Sequence, residues 1–187
     1  YYPYEYWGKF DWITLEDFAA ALDNMRQWNH NLMPYFSAVE TCDIRAKAPD
    51  RPSTPPITAE QLWNLCWINV VHGVKGIIWF HHFEPTPPEN YQTMARFVDA
   101  VTRHGPAILA ADFPGRVHVE TPPQARVDVM AKLHDGKLYI FAASVKKGRD
   151  FHLQREADVE FEVKFTIEGA DKDGQVEVLD EDRKVAM

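Results

Sequence analysis

Leu32-Met-Pro-Tyr-Phe-Ser-Ala-Val-Glu40 is a short apolar run closed by a carboxylate, with Thr41 and Cys42 behind it. Runs of this length, rich in β-favouring residues, make buried strands. An ionised carboxylate is costly inside such a strand, but at its C-terminal end the side chain can face a site. In parallel α/β proteins that edge carries ligands and chemistry. A second apolar run, Gly76-Ile-Ile-Trp-Phe80, follows after one helical pattern and leads straight into His81-His82. Glu, Trp and His are therefore expected near one surface, a set that suits sugar processing.

Working outward, Thr14 predicts the cap of a helix reaching about Trp28, with Glu16 and Asp17 in the first turn, where the helix dipole favours acids. Leu15, Phe18, Ala19, Leu22 and Met25 recur at helical spacing as its buried stripe. Thr58 caps a second helix from Ala59 to His72, apolar on most sides, and Gly73 stops it. Between them lies a proline-rich connection, Ala48 to Pro56, longer than a minimal βα turn and so read as functional. A third helix is expected from Glu89 to Arg103, ended by Gly105-Pro106. The order β-α-β-α argues for parallel strands joined by right-handed crossovers.

After Phe113-Pro-Gly115 the pattern changes to β-rich stretches at Val127–Leu133, Lys137–Ser144, Glu160–Ile167 and Gln175–Leu179. Asp135-Gly136 predicts a tight hairpin between the first two. Val129, Leu138 and Ile140 are expected to pack this antiparallel region on the first, and Asp180-Glu-Asp182 to form a turn. Two domains follow, 1–113 and 114–187. The chain opens at Tyr1 without a signal-like segment and stops at Val185-Ala-Met187, so both ends read as cuts in a longer protein.

The 187 residues suffice for a substantial core. An aromatic fraction of 13% with six tryptophans is high and fits carbohydrate binding, where flat rings stack on sugar faces. Trp12, Trp28, Trp63 and Trp67 nonetheless suit helix packing and are read as core. The net charge of −8 argues against a nucleic-acid partner, which needs a basic face. No apolar run approaches the roughly 20 residues of a membrane span. Cys42 and Cys66 read as buried free thiols. His72, at a helix end, is expected to meet the dipole favourably.

With these residues placed, the first region resembles the C-terminal part of a (β/α)8-barrel glycoside hydrolase, of the clan of retaining enzymes whose catalytic glutamates end strands four and seven. The phrases Arg51-Pro-Ser-Thr-Pro-Pro-Ile-Thr58 and His72-Gly-Val-Lys-Gly-Ile-Ile-Trp79 look like those of barrels with a trailing β-sandwich. The fold class so implied is α/β: a partial (β/α)8 barrel (strands six to eight) followed by a smaller antiparallel β-sandwich-like domain. Tyr2-Pro3 would end strand six, Leu32 to Glu40 would be strand seven, and Gly76 to Phe80 strand eight.

The resemblance implies Glu40 as nucleophile, Tyr2 as the phenol that hydrogen-bonds it and keeps it ionised, and Trp79 as the floor of the sugar subsite. His81 and Asp43 join as substrate-binding candidates, as does Asp11 beside the same cleft. Retaining hydrolysis needs a second carboxylic acid about 5–5.5 Å from the nucleophile, and the Asn-Glu pair of strand four has no counterpart in this sequence. The partner implied is a β-linked carbohydrate, with self-association or the missing part of the barrel as a further one. A secreted or periplasmic setting goes with such an enzyme. No cofactor is expected. His81, His82 and Glu84 suggest a metal at first sight, but adjacent strand residues face opposite ways, so none is expected. The alternative is a non-catalytic carbohydrate-binding or structural fragment that lacks the acid. The presence of a strand-four glutamate in the parent protein separates the two.

Overall fold

A computed structural model of the chain describes residues 14–42, 57–80, 86–145, 161–169, 175–180 and 183–186. Helix α1 (Leu15–Trp28) starts as expected: the Thr14 hydroxyl oxygen accepts from the Asp17 N–H at 3.1 Å, and the Asp17 carboxylate accepts from the Thr14 N–H at 2.8 Å. This reciprocal box satisfies two donors that the first turn leaves unpaired. Helix α2 (Ala59–Val71) repeats it with Thr58 and Gln61, and Gly73 ends it in the left-handed region at φ +86°. Thr58→Ala is expected to cost about 1 kcal/mol, because it strips the acceptor from the Gln61 N–H. An unchanged midpoint in urea would contradict this.

Strands β1 (Phe36–Glu40) and β2 (Gly76–Phe80) form a parallel pair, in register from Phe36↔Gly76 to Glu40↔Phe80. β1 thus begins at Phe36 and not at Leu32. His30 and Asn31 turn the chain in the left-handed region, and Pro34 has no N–H to give a ladder. The Lys75 N–H donates to the Tyr35 carbonyl at 3.0 Å just before β2 begins, while Leu32 and Met33 are exposed. Opposite the start of β1, the Phe36 ring lies over Gly76 so closely that a Cβ there would stand 2.1 Å from it. Gly76→Ala is expected to cost about 1 kcal/mol by expelling the ring. In a double-mutant cycle, Phe36→Ala should then be nearly silent on the Gly76→Ala background; full additivity would refute the contact.

Helix α3 (Pro88–Ile108) corrects the expected end at Arg103. Gly105 and Pro106 lie inside it, and the Leu109 N–H still donates to the Gly105 carbonyl at 2.9 Å. Proline costs one hydrogen bond in the last turn, where Ala107, buried in the core, holds the backbone helical.

Ser37 and Val39 of β1 and Ile77 and Trp79 of β2 share the face that meets the helices. Leu15, Phe18 and Leu22 from α1, Leu62, Leu65 and Ile68 from α2, and Met94 and Phe97 from α3 complete that core. Met25 and Trp28 do not join it. The buried stripe of α1 ends at Leu22, and Trp28, expected as core, is 77% exposed at the helix end.

The rest is antiparallel: β3 (Ala111–Asp112), β5 (Val127–His134) and β6 (Lys137–Ser144) form one sheet, β4 (Val117–Glu120) pairs with β7 (Lys164–Ile167), and β8 (Gln175–Val178) pairs with β9 (Arg183–Ala186). Asp135 and Gly136 both take positive φ in the β5–β6 hairpin, as its tight turn requires. The packing face of this hairpin is the reverse of the expected one. Tyr139, Phe141, Ala143 and Met130 meet the core, while Val129, Leu138 and Ile140 point the other way. Both faces alternate apolar residues, and the aromatic one packs inward, with Phe141 stacked on Trp67 at 5.8 Å.

Polar contacts lock this seam. Asn64 of α2 donates to the Ser144 carbonyl at 2.9 Å and accepts from its N–H at 3.1 Å. His72, expected only to meet the helix dipole, is buried between Asp23 of α1 at 2.9 Å and Asp128 of β5 at 3.1 Å. Asp128 also accepts two bonds from the Arg126 guanidinium, and the Tyr35 hydroxyl donates to the His72 carbonyl. Burial pulls the imidazole pKa down, but the hydrogen bonds and charges of the two aspartates outweigh it and hold it above the ordinary value. Asp180, in the β8–β9 turn, pairs with Arg103 and His104 on α3. The described residues are thus a mixed α/β arrangement of three helices, one parallel pair and small antiparallel sheets, with no closed barrel among them.

Candidate active site

Glu40 is the last residue of β1 and stands beside Phe80, the last of β2, so both strands end together. Glu40 is 1% exposed. It is not free of partners, as burial of an ionisable group demands. Glu40 is also the only carboxylate on the two parallel strands. Strand alternation puts it, with Ala38 and Phe36, on the face away from the helices, together with Ile78 and Phe80 of β2. That face opens toward the strand starts, where Phe36 is 59% and Ile78 56% exposed, and closes at Glu40.

The backbone just after Glu40 is held by polar groups from three directions. The Thr41 N–H and hydroxyl both donate to the Phe80 carbonyl, at 3.3 and 3.1 Å. With that single hydroxyl hydrogen used, the Thr41 oxygen accepts from Thr86 at 3.1 Å. Asn90, in the first turn of α3, donates one amide hydrogen to the Thr41 carbonyl at 2.9 Å and the other to the Ile57 carbonyl at 2.8 Å. Thr41 and Asn90 are fully buried and Thr86 nearly so. No sequence pattern pointed to Thr86 or Asn90, because each acts through contacts made far along the chain.

Trp79 lies one residue before the end of β2, on the opposite face from Glu40. Its ring is half-buried and meets Phe97 edge-on at 6.0 Å. The structure therefore brings Glu40 and Trp79 to one end of the parallel pair but not onto one face. Tyr2, His81, Asp43 and Asp11 lie outside the described residues, as do His82 and Glu84. Among the described residues no group of three His, Cys, Asp or Glu side chains is placed to hold a metal ion, and no helix is long and apolar enough to cross a membrane. Cys42 and Cys66 are both buried. Burial pushes the Cys66 thiol well up, so it stays protonated and inert.

A fixed carboxylate in a dry setting at the C-terminal edge of parallel strands can attack an electrophilic carbon, because charge interactions strengthen where water is excluded. Comparison with protein-family models, with curated proteins and with solved structures gave no match to this chain.

Proposed function

We propose that this chain carries the nucleophile half of a retaining β-glycosidase site, with Glu40 attacking the anomeric carbon, on a partial (β/α)8 barrel made of strands six to eight. The observation that supports this most is the place of Glu40: buried, last in a parallel strand, and level with the end of its neighbour. The apolar face shared by Phe36 and Ile78, open at the strand starts, suits a parallel sheet whose second face is covered, as the interior of a barrel is. The ligand would be a β-linked carbohydrate, and the negative net charge favours a neutral sugar over a polyanion.

A second reading, a non-catalytic carbohydrate-binding or structural fragment, draws on the strand-four Asn-Glu pair, which has no counterpart in this sequence. Retaining chemistry needs the second group to protonate the leaving oxygen. The two readings part on one assay: turnover of an activated β-aryl glycoside, whose leaving group departs without a proton, by the wild-type chain and by Glu40→Gln. Turnover lost in the variant supports catalysis; equal rates support the fragment.

A further inference from the structure

We infer that Asn90 is a positioning residue for Glu40, clasping the backbone that follows the carboxylate to the backbone that enters α2. The inference rests on the catalytic reading of Glu40. Asn90 sits in the first turn of α3, fully buried, and spends both amide hydrogens on main-chain carbonyls of two other segments, Thr41 and Ile57. Among the described residues, its own side-chain carbonyl oxygen is buried with no hydrogen-bond partner. Such an oxygen carries a desolvation cost that no apolar side chain of similar size would bear, so simple packing does not account for an asparagine here. What the amide alone supplies is a pair of donors, and these meet the main-chain carbonyls of Thr41 and Ile57.

The consequence falls on Glu40. The amide that follows it is held by the Phe80 carbonyl and the next carbonyl by Asn90, while Thr86 holds the hydroxyl between them. The chain leaving the nucleophile is therefore fixed at successive polar groups by two separate elements, β2 and α3. A reacting carboxylate displaced by about 1 Å loses on the order of a hundredfold in rate even when its chemistry is intact.

The test is Asn90→Asp, which keeps the shape and leaves no donor when ionised and a single one when neutral. Wild type, N90D, Glu40→Gln and Thr14→Ala, a destabilised control far from the strand end, are compared as the 187-residue chain. The readouts are kcat and KM for an activated β-aryl glycoside between pH 5 and 8, the folded fraction, and deuterium exchange at the Thr41 amide. At pH 7.5, N90D should lose kcat per folded molecule by about tenfold to a hundredfold, with KM within about twofold, and the Thr41 amide should lose protection. The kcat ratio to wild type should recover as pH falls, because the neutral acid regains one donor; T14A should keep its kcat. If N90D fails to fold, Asn90→Ser is read in the same assays for the same loss of kcat at steady KM. Full kcat in a variant whose E40Q counterpart is dead overturns the inference alone. A loss carried by KM instead of kcat, with the Thr41 amide still protected, also overturns it, since it would place the defect outside the backbone that follows Glu40. Equal turnover by E40Q and wild type overturns the catalytic reading and the inference with it.

Discussion

Glu40→Gln lowers turnover of an activated β-aryl glycoside by at least about a thousandfold per folded molecule, if Glu40 is the nucleophile. Glutamine fills almost the same volume, so the core around β1 has little to repack. It cannot form the covalent intermediate, and loss of a nucleophile is among the largest single-residue effects on a rate. Activated substrates are the right probe because their leaving group departs without the protonation that is worth about 10²–10⁴-fold. Unactivated glycosides should accordingly turn over slower than aryl glycosides by about that factor. Equal rates on both would mean that an acid is present in this chain.

The second large effect concerns stability and its pH dependence. His72→Gln is expected to cost about 2–3 kcal/mol, somewhat below the ~3–5 for breaking a fully buried ion pair, because Asp23 is 40% exposed. The sign follows from the shift. The folded imidazole holds its proton more tightly than its ordinary 6.5. The clamp therefore contributes fully below that ordinary value and is lost as pH rises through the folded one. On the Asp128 carboxyl, burial acts upward, but the hydrogen bonds from His72 and Arg126 outweigh it and hold its pKa below the usual range. Its contribution is present above the unfolded carboxylate value and fades only in strong acid. Urea denaturation should thus show wild type losing stability from about pH 6.5 upward, with His72→Gln flat over that range. Parallel curves for the two proteins would rule out the clamp.

Much of the local structure was legible because short-range physics governs it. Thr14 and Thr58 announce helix starts by the donors that a first turn leaves unpaired, Gly73 a helix end, and Asp135-Gly136 a hairpin that needs positive φ twice. The parallel pairing of Phe36–Glu40 with Gly76–Phe80 followed from the helix between them. The errors share a different origin. An apolar run gives no sign that Leu32 and Met33 outreach the partner strand. Alternation in β6 shows two faces without saying which is covered, and Trp67 decides it by stacking on Phe141. Pro106 stays helical because Ala107 is packed, which is a tertiary fact. His72 and Asn90 look unremarkable in sequence, since their partners, Asp23, Asp128, Thr41 and Ile57, stand 33 to 56 positions away.

The candidate site was legible to a lesser degree. Glu40 could be picked out because a carboxylate closing an apolar strand is unusual on its face. Trp79 was legible as a strand-end aromatic, but its phase relative to Glu40 puts it against Phe97 on the helix side.

The most direct test of the central claim is covalent trapping. The wild-type chain is incubated with a panel of 2-deoxy-2-fluoro β-glycosides bearing a dinitrophenolate leaving group, which slow release of a glycosyl intermediate, and the labelled peptide is located by mass spectrometry. A single glycosyl label on Glu40, absent from Glu40→Gln, is the predicted result. A label on another carboxylate, or turnover of the parent aryl glycoside with Glu40 unmodified, would contradict it.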